Sequence, residues 1–66
     1  MNPVQLRGNH FTDKFRREIK PDLVNWLILN VPGYHFVFFR SSNGEDEAEV
    51  HFKTASDAAK FKIFWF

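Results

Sequence analysis

The chain has 66 residues, with nine Lys/Arg against eight Asp/Glu and no cysteine. A chain of that length forms one domain with a thin core, and without cysteines it has neither a disulfide framework nor a Cys-based zinc site to stiffen it. A formal net charge of +1 departs from the strongly basic profile of a dedicated duplex-DNA binder, while 18% aromatic residues, nine of them Phe, is more ring surface than so small a core obviously needs.

Residues 1–10 contain Pro3 and Gly8 and little apolar periodicity. They read as a loose N-terminal tail, with Val4 or Leu6 as the points that could pin it. Residues 11–66 read as a single α+β domain. Thr12 looks like a helix N-cap, with Asp13 favourably placed at the positive end of the helix dipole. Phe11, Phe15, Ile19, Leu23 and Leu27 recur every four residues with Trp26 beside them, a helical stripe facing a core. Pro21 interrupts the stripe and is tolerated best in a first helical turn. The stripe therefore divides into a short helix near 12–19 and a second near 21–30, with a single kinked helix as the alternative. Pro32-Gly33 ends it.

Tyr34 to Arg40 is the clearest strand, aromatic and β-branched without a breaker. Asn43-Gly44 then fits a two-residue type I′ hairpin turn. A second strand, Glu47 to Lys53, alternates Ala48, Val50 and Phe52 with Glu47, Glu49, His51 and Lys53. A two-residue loop sets Val37 opposite Val50, Phe39 opposite Ala48 and His35 opposite Phe52 on the inner face. On the outer face it sets Arg40 opposite Glu47, Phe38 opposite Glu49 and Phe36 opposite His51. Enlargement of the loop through Glu45 and Asp46 is the alternative. Thr54 to Asp57 resembles a capping box, and Ala58, Phe61 and Trp65 continue at helical spacing, so the C-terminal segment reads as helix. The run 61–66 also alternates enough for a closing strand. The expected fold is a small α+β domain, a β-hairpin packed with two helical segments in α-β-β-α order.

The chemistry-bearing residues are few. In the expected register His35 and His51 point to opposite faces of the hairpin and His10 sits in the tail, so no metal site is expected. Ser41, Ser42, Ser56, Thr12 and Thr54 all have turn or cap roles open to them. Gly8, Gly33 and Gly44 are isolated and form no phosphate loop. No catalytic residue and no cofactor is expected, and the chain reads as a non-enzyme. Charge is uneven: residues 1–40 hold six basic and three acidic residues, and residues 41–66 hold three and five. Such polarity can steer a partner or a second copy of the chain, or simply mark solvated faces. The acidic cluster Glu45, Asp46, Glu47 and Glu49 reads either as a solvated loop or as a patch for a basic partner.

The outer face of the expected hairpin carries Tyr34, Phe36, Phe38, Arg40, His51 and Lys53. Three readings stand for it: cover by a helix, an exposed face that binds a protein or another copy of the chain, and a stacking platform for single-stranded nucleic acid. In composition the last resembles an RNA-recognition motif. The Glu-Ala-Glu-Val-His-Phe-Lys run lacks that motif's glycine and leading basic residue, and Glu47 and Glu49 on the same face would repel phosphate. Trp65 and Phe66 at the C-terminus are expected to dock into the core, with docking into a partner as the alternative. No apolar stretch approaches the roughly 20 residues of a membrane span. The N-terminus also lacks the apolar region of a signal peptide, so a cytoplasmic protein without membrane partners is expected.

The segment from Val50 to Trp65, with Asp57-Ala58 followed by Phe61-Lys62-Ile63-Phe64-Trp65, resembles the closing segment of short uncharacterised proteins encoded by tailed bacteriophages. The resemblance covers about a quarter of the chain and carries no functional residue across. It implies a phage protein acting in a bacterial cytoplasm, where its partner would be a host protein.

Overall fold

A computed structural model describes residues 2–13 and 18–66. Its elements are β1 (Asn2–Gln5), a 3-10 turn (Gly8–His10), α1 (Pro21–Asn30), β2 (His35–Arg40), β3 (Asp46–Phe52) and α2 (Ala55–Trp65). The three strands form one antiparallel sheet in the order β1-β3-β2. The fold is α+β, as expected, with an N-terminal strand added to the hairpin.

That strand corrects the reading of residues 1–10 as a loose tail. β1 pairs Val4 with Val50, and Leu6 N–H donates to the Ala48 carbonyl at 2.9 Å. Val4, Leu6 and His10 are all buried. Four residues of strand are too few for a visible alternation, and their stability comes from docking on β3 rather than from their own propensity.

The short helix expected over 12–19 falls largely on residues 14–17, which lie outside the described residues, as does Phe15. Its described ends are not helical. Phe11 pairs with Ile19 in an antiparallel bridge, and Thr12 N–H donates to the Glu18 carbonyl at 2.8 Å. Phe11, Ile19, Leu23 and Leu27 are nevertheless buried together, so the apolar stripe identified core residues correctly, although at Phe11 and Ile19 the backbone is bridged rather than helical. α1 begins at Pro21, where a missing N–H costs nothing.

α2 starts where the sequence placed it. Thr54 Oγ1 accepts from Asp57 N–H at 3.1 Å, Ala58 and Phe61 are buried, and the helix runs through Trp65, which settles 61–65 as helix. Phe61 is the centre of the core. Its ring lies 5.3 Å from Phe52, 6.0 Å from Trp26 and 6.0 Å from Phe66. One ring thus joins the sheet, both helices and the end of the chain.

The hairpin turn differs from the expected one. Gly44 N–H donates to the Ser41 carbonyl at 3.0 Å, Ser41 N–H donates to the Glu45 carbonyl at 2.9 Å, and Gly44 has a φ of 86°. This is a three-residue loop: a type I turn over Ser41–Gly44 followed by a left-handed glycine. The odd residue slips the register by one, so Val37 faces Glu49, Phe38 faces Ala48 and Arg40 faces Asp46. Every β2 side chain therefore changes face relative to the two-residue turn.

Replacing Gly44 tests this turn. A Cβ at that position would meet nothing within 4 Å, so only the backbone conformation resists it. Gly44→Ala is expected to lower stability by about 1 kcal/mol and Gly44→Asn by less, since Asn tolerates the left-handed region. Denaturant titration of the two variants measures the difference.

Candidate functional site

The slipped register sorts β2 into two sets. Tyr34 and Phe36 are half-buried against the core, with their rings 5.3 Å apart. They are covered on the helix side, which removes them from the exposed aromatic patch expected for Tyr34, Phe36 and Phe38. Phe38 points to the same side but lies beyond the cover and is 60% exposed. Val37 and Phe39, expected inside, stand on the opposite face at 37% and 38% exposure. Arg40 pairs with Asp46 at 3.4 Å, not with Glu47, and Lys53 is exposed.

His51 is half-buried on the open face and takes a different neighbour from the one expected. His35 lies directly opposite it, with ring centroids 5.0 Å apart and planes at 24°. The expectation that these histidines point to opposite faces is therefore overturned by the one-residue slip. His51 Nε2 lies 3.1 Å from Glu49 Oε1. Among the described residues no group of three or more His, Asp or Glu is placed to hold a metal ion. Glu47, on the same face, is buried, and its Oε2 accepts from Gln5 Nε2 at 3.1 Å.

Three of the hydroxyls are engaged locally. Ser41 Oγ bonds Asn43 Oδ1 and the Glu45 carbonyl within the turn, Thr12 Oγ1 donates to the Glu18 carbonyl, and Thr54 caps α2. An open groove of about 720 Å³ runs along β1 past Arg7, Glu47, Lys62 and Phe66. It presents charges of both signs, and the Arg7 guanidinium is already stacked 5.0 Å from the Phe66 ring.

The backbone defines a sharper feature. In an antiparallel ladder, successive residues turn their N–H and C=O alternately toward one side and the other. Ser41 bonds Glu45 and Leu6 bonds Ala48. Residues 35, 37 and 39 therefore bond to β3, whereas Phe36, Phe38 and Arg40 turn their backbone groups to the free edge. At the other edge the outward positions of β1 are Pro3 and Gln5, and Pro3 has no N–H to offer. The β1 edge is blunted in the way natural sheets block further pairing. β2 contains neither proline nor lysine, and five of its six residues are exposed. Sequence reasoning sought the site in side chains on a face and missed the edge, because which strand lies in the middle depended on the unrecognised β1.

His10 was placed in the tail and is instead buried where the two chain ends meet. Its Nδ1 accepts from Arg7 N–H at 2.9 Å, and Nε2 lies 3.1 Å from the Trp65 carbonyl, which places the ring proton on Nε2. Its ring also packs 4.7 Å from Phe66; of the two C-terminal residues expected to dock into the core, Trp65 packs against it half-buried, whereas Phe66 remains 49% exposed.

Comparison with protein-family models finds no match, and no curated protein or solved structure matches the chain either. No helix among the described residues is long and apolar enough to cross a membrane.

Two substitutions separate core from edge. Phe36→Ala is expected to cost about 2 kcal/mol, because it opens space in a partly buried contact, and Phe38→Ala less than about 0.5 kcal/mol. His10→Phe keeps the ring but strands Arg7 N–H and the Trp65 carbonyl, for an expected loss of about 1–3 kcal/mol. Thermal and denaturant unfolding of the three variants measure these differences.

Proposed function

We propose that this chain is a non-enzymatic protein-interaction module and that strand β2 is its binding edge. One observation carries the reading: the strand richest in apolar side chains is also the most exposed, with Val37, Phe38 and Phe39 open and the backbone of Phe36, Phe38 and Arg40 unpaired in the sheet. A strand of this kind accepts an extended segment by β-augmentation, in which backbone bonds supply affinity and alternate side chains supply selectivity. The engagement of Ser41, Thr12 and Thr54 in turns and caps supports the non-enzymatic part of the reading. The C-terminal resemblance to tailed-phage proteins makes bacterial cytoplasmic proteins the first partners to try.

Single-stranded nucleic acid is the competing ligand. Glu47 and Glu49 on the open face oppose phosphate there, and Tyr34 and Phe36 are withdrawn from the stacking platform that this ligand would need.

Phe38→Pro tests the proposal cleanly. It removes an N–H that points to the free edge while sparing the β2–β3 ladder. The intact chain, used as bait in a bacterial lysate, is expected to retain proteins that the Phe38→Pro variant loses, at nearly unchanged melting temperature. Equal capture by both overturns the reading. An oligonucleotide bound at low salt with affinity falling steeply as salt rises would move it to nucleic acid.

A further inference from the structure

The β2 edge can be filled by many extended segments, but its charges and its sequence fit one occupant with unusual economy. We infer that two copies of this chain pair through β2, antiparallel about a dyad at Val37, to form a continuous six-stranded sheet. The inference rests on the reading of β2 as the binding edge and names the partner for it.

Backbone geometry supplies the first argument. A dyad normal to the sheet pairs residues of like parity, so inner faces meet inner faces. With Val37 on the dyad, Phe36 exchanges backbone hydrogen bonds with Phe38 of the second copy. Tyr34, next before the strand, meets Arg40 in the same way. All the outward-turned groups of β2 then find partners. The other edge cannot extend the assembly equally well, because Pro3 lacks a donor. The result is a closed dimer rather than a fibre.

Side chains supply the second argument. Phe38, the large ring left beyond the helical cover, would sit beside Phe36 of the second copy, and Val37 would meet its own counterpart on the open face. Tyr34 opposite Arg40 is a cation–π pair. Charge supplies the third. The hairpin tip carries Glu45 and Asp46 at one end of β2, and with Asp46 paired to Arg40 it is net negative by one charge. At the other end the Lys53 side chain lies along Gly33, close enough that a Cβ on Gly33 would come within 2.9 Å of its Cε. Antiparallel pairing sets each acidic tip against the Lys53 end of the other copy, twice over.

The chain has no cysteine, so single-cysteine variants read the register directly. In the proposed pairing Val37 faces Val37 as a non-hydrogen-bonded pair, with the close Cα approach that a disulfide requires. Val37→Cys is expected to oxidise rapidly to a covalent dimer, while His35→Cys and Phe39→Cys, offset from the dyad, stay largely monomeric. Sedimentation of the unmodified chain over a dilution series is expected to show twice the monomer mass at high concentration, and Phe38→Pro to stay at monomer mass throughout. Lys53→Glu is expected to weaken the dimer at low salt, and adding Glu45→Lys to restore it. A clean monomer at every concentration, with no preferential Val37→Cys dimer, overturns the inference. If that monomer still captures a lysate protein that Phe38→Pro loses, the binding edge stands and its occupant is a different chain. If capture is also unaffected by Phe38→Pro, the edge reading falls with it.

Discussion

Gly44 turns the hairpin with a φ of 86°, and the assignment of every β2 side chain to one face or the other follows from that turn. A three-residue loop offsets the strands by one position relative to a two-residue loop. In a structure with a side-chain period of two, one position is the difference between core and solvent. Through this turn Phe36 packs inward, Val37 and Phe39 look outward, and His35 comes to rest against His51. β3 is indifferent to the turn, since its own alternation already buries Ala48, Val50 and Phe52.

A domain this small meets its shortage of core with rings. Phe61 touches Phe52, Trp26, His10 and Phe66, so one side chain links the sheet, both helices and the two chain ends. Aromatic residues bury much area per position, which suits a chain whose surface-to-volume ratio leaves little interior. His10 completes the closure by bonding residues far apart in sequence, Arg7 on one side and Trp65 on the other. The Trp65 indole N–H, by contrast, is buried without a hydrogen-bond partner among the described residues, a cost that the packing around it must outweigh.

The two edges of the sheet are treated oppositely. β1 is short and carries Pro3 at an outward position, whereas β2 is longer, apolar and open. Exposed apolar residues also occur elsewhere, at Leu29 on α1 and Ile63 on α2, but there the N–H groups are bonded within the helix and no strand edge is offered. Among the described residues, it is along β2 that exposed apolar side chains coincide with strand backbone groups that lack a partner within the sheet. That coincidence is the basis on which β2 is proposed as a binding edge, as distinct from ordinary surface hydrophobicity.

Helix α1 from Pro21, the Thr54 cap, the helical course of α2 and the buried side of β3 were all legible in the residues, because each rests on interactions within a few positions of chain. The core members Phe11, Ile19, Leu23 and Leu27 were legible too, since apolar spacing marks burial even where, as at Phe11 and Ile19, the backbone is not helical. The strand character of residues 2–5, the burial of His10 and the meeting of His35 with His51 were not, because each depends on a partner distant in sequence. The open edge belongs to this second group. Whether β2 is central or peripheral is decided by where β1 docks, and β1 is a strand only because β3 offers it a ladder.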